Sequence, residues 1–290
     1  MASQQPTPAN VDLGAVRTLV FAGGGNRCWW QAGLVTTWLE AGWHLPPVLV
    51  GTSAGAAMAF ALMTSAIQDA LESCRRLYAA NRKIVHRATV LPLRLEFAHA
   101  RIYPAWIESF VTDDRVARVR DSPSRLHVGL SRPARWLGLG GSLAIASAAY
   151  LLERRAATRV HPALPKYLGL GQQLVAVADV GDGSGVRSLL RASAAAAPFM
   201  KAERIGGCWG FDGGYTDNAP LPEQSEAERE GTLVLLTRHY PELPRSFRLK
   251  QRTYLQPSRK IPVSTWDCRP RTTVNDAFAL GLMDATSLAR

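Results

Sequence analysis

Residues 46–63 read PPVLVGTSAGAAMAFALM, and this stretch decides the fold. A short β-branched run passes through Gly-Thr-Ser-Ala-Gly into a run of Ala, Met, Phe and Leu, so a buried strand turns directly into a buried helix. The residue at such a turn is held in a strained conformation. Its neighbours must be small, because a Cβ there collides with the adjoining backbone. Gly51 and Gly55 meet that need. The Ser53 hydroxyl then projects at the carboxyl edge of a sheet, where the amides and dipole of the following helix favour negative charge. A serine hydroxyl acting as a nucleophile at neutral pH needs a partner to take its proton.

Working outward, VRTLVFA (16–22) is an apolar strand that ends abruptly in GGGNR (23–27). Residues 28–41 then place Trp30, Leu34, Thr37 and Trp38 at helical spacing before Gly42. Strand, helix, strand, helix with short links predicts a parallel sheet. The run 53–74 reads as one long helix, and 75–125 as basic and mostly helical. RLHVGLS (125–131), QQLVAVADV (172–180) and TLVLLTR (232–238) read as further strands. Residues 241–271 read as an irregular basic stretch before a closing helix, TVNDAFALGLMDATSLA (273–289). The expected fold is a three-layer α/β/α sandwich with a mostly parallel central sheet. A frayed leader is expected over 1–14, followed by one domain over 15–290 that carries an apolar insertion around 132–170.

The chain has 290 residues, of which 47% are hydrophobic, enough for a sizeable core. Lys and Arg outnumber Asp and Glu by 34 to 23, a formal charge of +11, so an anionic surface is the expected partner. Nucleic acid is not expected, since no helix-turn-helix, zinc or RNP-type motif accompanies the charge. Cys28, Cys74, Cys208 and Cys268 show neither disulfide nor metal-ligand spacing. The polar, proline-bearing start does not read as a secretory signal, which points to a cytoplasmic protein with peripheral contact at a membrane surface.

The segment WLGLGGSLAIASAAYLL (136–152) lies between Arg132 and Arg135 on one side and Arg154 and Arg155 on the other. A membrane span needs about 20 predominantly apolar residues, and this run is short and rich in Gly and Ser. It reads as a low-polarity helix covering the core or the site, with a membrane-dipping role left open.

Two further motifs bear on chemistry. In GGGNR, a dinucleotide loop requires glycine at position 28, which is Cys28, and an acidic residue after the next strand, where Val50 and Gly51 stand. Consecutive glycines can instead turn backbone N–H groups toward one point and form an oxyanion hole. In FDGGYTDNAPLP (211–222), Asp212 follows an apolar run and precedes Gly213 and Gly214, so a tight turn aims its carboxylate. Asp217 is a further candidate base or, with Asn218, a turn-fixing residue. The order Ser53, Asp212, His239 also satisfies an ordinary α/β-hydrolase triad, with His239 just after a strand.

Taken together, GGGNR, GTSAG, the run RASAAAAPF (191–199) and DGGYTDNAP (212–220) resemble the patatin-like phospholipases, in that family's order. The resemblance implies a serine acyl hydrolase without cofactor or metal, acting on phospholipids or other acyl-ester lipids. It pairs Ser53 with Asp212 as a dyad and assigns the backbone N–H groups of Gly24, Gly25 and Ala54 to an oxyanion hole. Gly23, Arg27, Gly51, Gly55, Gly213, Gly214 and Asn218 become supporting or substrate-binding positions. An acyltransferase or a lipid-binding scaffold without activity are the other outcomes this resemblance leaves open. Cys28, Trp29 and Trp30 depart from the small residues expected after the arginine, and either line an acyl pocket, meet a membrane interface or belong to the core.

Overall fold

A computed structural model describes residues 5–87, 95–156, 160–161 and 164–288. In chain order its strands are β1 (Thr7–Pro8), β2 (Thr18–Phe21), β3 (Val48–Thr52), β4 (Val85–Arg87), β5 (Leu95–Phe97), β6 (Arg125–Arg132), β7 (Gly171–Ala176), β8 (Glu203–Ile205), β9 (Cys208–Asp212), β10 (Thr232–Leu235), β11 (Ser246–Leu249) and β12 (Arg252–Leu255). The helices are α1 (Cys28–Glu40), α2 (Ala54–Met63), α3 (Ile67–Ala79), α4 (His99–Phe110), α5 (Asp113–Asp121), α6 (Gly138–Ala156), α7 (Leu164–Tyr167), α8 (Gly183–Ser193), α9 (Glu226–Glu230) and α10 (Val274–Leu288).

The main sheet runs β1-β11-β12-β10-β2-β3-β6-β9-β8, with β7 also paired to β6. Its centre, β12-β10-β2-β3-β6, is parallel throughout, and antiparallel strands close both flanks. Helices surround this sheet as expected for the α/β/α sandwich. Residues 7–8, inside the stretch read as a leader, pair with β11. The period-2 alternation of the central strands sorts their side chains onto two faces. Leu19, Phe21, Leu49, Leu233 and Leu235 join the core under α1 and α2, whereas Val20, Val50, Val234 and Leu236 join a second cluster.

Several sequence expectations need correction. The long helix expected over 53–74 is two helices. Ser65, at φ +55°, ends α2 in a Schellman motif in which the Ala66 N–H donates to the Ala61 carbonyl (2.7 Å) and that of Ser65 to Leu62 (3.3 Å). The stretch 75–125 includes the small hairpin β4–β5. The strand expected over 172–180 stops at Ala176 and gives way to a short 3-10 turn. The stretch 241–271 contains the hairpin β11–β12, closed by Lys250 and Gln251, both at positive φ.

Helix α10 crosses α1 at close range. A Cβ on Gly281 would lie 2.7 Å from the Leu34 nitrogen, so small residues set the approach. The contact also settles the two tryptophans, both of which belong to the core. Trp30 donates from Nε1 to the buried Asp284 (2.7 Å), and Trp29 packs edge-on against Trp106. The segment around 136–152 is α6, and among the described residues no helix is long and apolar enough to cross a membrane. The side chains of Arg154 and Arg155 lie outside the described residues.

Candidate active site

Ser53 caps α2 at φ +54°, a left-handed conformation that is costly for any residue with a Cβ. Neighbouring glycines make this turn possible by close approach. A Cβ on Gly51 would lie 2.7 Å from the Ala56 nitrogen, and one on Gly55 would lie 2.6 Å from the Phe21 carbonyl oxygen. The turn is further tied down by Ser193 at the end of α8. The Ser53 backbone N–H donates to Ser193 Oγ (2.8 Å), and that hydroxyl donates to the Gly129 carbonyl of β6 (2.7 Å).

Sheet register brings the carboxylate to the serine. β3 pairs with β6 in parallel up to Thr52↔Gly129, and β9 pairs with β6 antiparallel from Leu130↔Asp212. Because β7 occupies the other edge of β6 over 127–132, β9 takes over the edge that β3 leaves. The two strands therefore meet end to end, one finishing just before Ser53 and the other at Asp212. Ser53 Oγ donates to Asp212 Oδ2 at 3.1 Å. Asp212 Oδ1 accepts from the Gly214 N–H (2.7 Å), and its carbonyl accepts from Ser131 Oγ (2.8 Å). Burial pushes the Asp212 carboxyl up to about 6, with the Gly214 N–H and the Ser53 hydroxyl opposing the rise.

The glycine loop lies beside this pair. Gly23 donates to the Asn218 carbonyl (2.7 Å), and its own carbonyl accepts from Thr237 Oγ1 (2.6 Å). Asn26 is buried, donates to the Ser264 and Asp267 carbonyls (2.9 Å each) and accepts from the Tyr78 hydroxyl (2.6 Å). The Arg27 Nε donates back to the Gly24 carbonyl (3.3 Å). Among the described residues, the backbone N–H groups of Gly24, Gly25 and Ala54 have no protein acceptor. A cavity of about 540 Å³ opens over Ser53, Asp212, Gly24 and Gly25. One face of α6, carrying Leu143, Ser147, Tyr150 and Leu151, forms its roof, and Phe199 and Trp266, stacked 4.8 Å apart, form a wall.

The remaining candidates sit elsewhere. Asp217 accepts from the Ala219 N–H (3.0 Å) and pairs with His161 Nδ1 (2.8 Å), so it fixes its own turn and is not hydrogen-bonded to Ser53. His239 is not joined to Ser53 either. Its Nδ1 meets the Pro257 carbonyl (2.9 Å), and the ring lines a second cavity. Among the described residues no cluster of three or more His, Cys, Asp or Glu side chains could hold a metal ion. Three supporting residues have no local signal of their own in the sequence: Ser193, Ser131 and Thr237. Ser193 lies inside the RASAAAAPF run, which was the only available signal.

A profile of the patatin-like phospholipase family matches residues 19–223, over two thirds of the chain, and so spans both the Ser53 turn and the Asp212 turn. No curated protein matches the chain. The fold and the extent of this match place the chain in the patatin-like phospholipase family, and hence, at the level of the family, among lipid acyl hydrolases.

Proposed function

We propose that the protein hydrolyses fatty-acyl esters of phospholipids with Ser53 as nucleophile and Asp212 as its base. The observation that carries this reading is the 3.1 Å contact between Ser53 Oγ and Asp212 Oδ2 at the floor of an apolar cavity. As Ser53 Oγ attacks the ester carbonyl carbon, its proton passes to Asp212 Oδ2. The carbonyl oxygen becomes an oxyanion that accepts from the N–H groups of Gly24, Gly25 and Ala54, aided by the dipole of α2. Collapse of the tetrahedral intermediate expels the alcohol as its alkoxide, which takes the proton back from Asp212. A water molecule then attacks the acyl-serine with Asp212 again as base, releasing the fatty acid and restoring Ser53.

Peripheral contact with an anionic bilayer completes the proposal. Trp136, Leu151, Leu152 and Tyr167 are exposed on α6, α7 and the turn before α6, and Leu151 also lines the cavity, so one of these exposed apolar side chains stands at its edge. The net charge of +11 favours anionic headgroups.

Labelling with a fluorophosphonate probe, together with mass spectrometry of products from a mixed phospholipid extract, tests the reading. Ser53→Ala should abolish labelling and fatty-acid release, and Asp212→Asn should slow both by about 10³-fold or more. A comparable loss in His239→Ala would move the base to the imidazole. Labelling without release of any fatty acid would replace hydrolysis with acyl transfer to another alcohol, and no labelling at all would leave a lipid-binding scaffold.

A further inference from the structure

Beside the apolar cavity lies a second one of about 510 Å³, and the two share Arg27, Tyr150, Tyr215 and Trp266 among their walls. Its position follows from the topology. β2, β10 and β12 are parallel, and the cavity is built from the segments that leave their carboxyl ends: 22–23 after β2, 236–240 after β10 and 260–266 after β12. In α/β sheets this is where ligands bind, because successive loops splay apart there.

The two cavities differ in chemistry. The first is roofed by the apolar face of α6, whereas the second carries Arg27, Arg238 and Lys260 in its wall and, among the described residues, no carboxylate. Among the described residues neither Arg238 nor Lys260 forms an ion pair. Arg238 is held over the Tyr240 ring, 5.2 Å from its centre. Two guanidiniums and an ammonium group thus line the same cavity. Such donors match the oxyanions of a phosphoryl group.

We infer that this second cavity is a phosphoryl subsite, in which Arg238 and Lys260 bind the headgroup phosphate of the lipid whose acyl ester reaches Ser53 through the shared wall. The inference rests on the hydrolase reading above, and it adds the side chains that hold the headgroup phosphate. An ester that straddles the wall has its acyl chain under α6 and its phosphoryl group against Arg238. Arg238 and Lys260 are then specificity-determining residues that make no contact with the reacting atoms.

The test compares dihexanoyl phosphatidic acid with dihexanoyl glycerol, both monomeric, on wild type, Arg238→Gln and Lys260→Gln. Each variant should lose about 10-fold or more in kcat/KM on the phosphatidic acid, through KM, and stay within about twofold on the neutral ester. Unchanged thermal midpoints would exclude a folding defect. Equal losses on both esters, or no loss on the phosphatidic acid, would overturn the subsite. Losses seen only on vesicles would do the same by recasting the two residues as surface anchors. Calorimetry with Ser53→Ala separates failure of the subsite from failure of the hydrolase reading, because it needs no turnover. Dihexanoyl phosphatidic acid should bind that variant and bind Ser53→Ala/Arg238→Gln about 10-fold more weakly. Inorganic phosphate binding as tightly as the lipid would overturn the headgroup assignment in favour of a free anion.

Discussion

Ser193 and Ser53 are joined by a 2.8 Å hydrogen bond from the Ser53 backbone N–H to the Ser193 hydroxyl, which donates onward to Gly129. One hydroxyl thus ties the strained turn to α8 and to the strand that pairs with both β3 and β9. In Ser193→Ala a buried N–H and a buried carbonyl both lose their partner, each worth about 1–3 kcal/mol. Urea denaturation should show a loss of about 2–6 kcal/mol. The labelling rate at Ser53 should fall about 10-fold as the turn loosens, taking roughly 1.4 kcal/mol per decade. A variant with full stability and full labelling would show that the turn holds itself.

Asp212 predicts two coupled pH effects of opposite benefit. Only the carboxylate can accept a proton, so kcat/KM should rise about tenfold per pH unit up to about 6 and level off above it. Stability runs the other way. The folded carboxyl titrates near 6 and an unfolded one near 3.8, so between these values the native state holds the extra proton. The Asp212 contribution therefore falls as pH rises through that window and is lowest at neutral pH. The difference is on the order of 3 kcal/mol, at about 1.4 kcal/mol per unit. Asp212→Asn keeps an oxygen for the Gly214 N–H while removing the buried charge. It should be inactive yet more stable than wild type at pH 8, with the two converging toward pH 4. Thermal melts across this range decide the matter.

Strain at Ser53 can be measured directly. The φ of +54° penalises any Cβ, and only glycine avoids it. Ser53→Gly and Ser53→Ala should both be unreactive to fluorophosphonate. The glycine variant should nevertheless be the more stable of the two by about 1 kcal/mol in urea denaturation, despite the greater flexibility of its unfolded chain. The reverse order would mean that the turn stores no strain.

How much of this was legible in the sequence depends on whether the signal was local. Gly51, Ser53 and Gly55 announce their turn within five residues, and Asp212 with Gly213 and Gly214 does the same. Ser193 gave no such sign, because its partners lie 140 and 64 residues away and only the β6 register brings them to it. The break between α2 and α3 was hidden for a different reason: its left-handed residue is Ser65, not the glycine such caps usually carry. The β11–β12 hairpin was hidden likewise, since its two-residue turn uses Lys250 and Gln251 where Asn-Gly is the usual signal. At both turns a residue with a Cβ takes the positive φ that glycine or asparagine usually supplies, so the local signal is missing.

The exposed apolar side chains of α6 and of the turn before it yield the last prediction. Trp136 is 73% exposed and Leu152 60% exposed, and neither lines the cavity itself. If these side chains enter a bilayer, burying each contributes about 1.5–3 kcal/mol to docking. Trp136→Ala and Leu152→Ser should each reduce sedimentation with anionic vesicles, and hydrolysis of vesicle lipid, by about 10-fold or more. Hydrolysis of a monomeric short-chain ester should not change, because that substrate needs no docking. Raising the salt concentration should weaken vesicle binding of both variants and wild type, since screening acts on the basic surface and not on the apolar side chains. Vesicle binding that ignores both substitutions would place the docking surface elsewhere on the molecule.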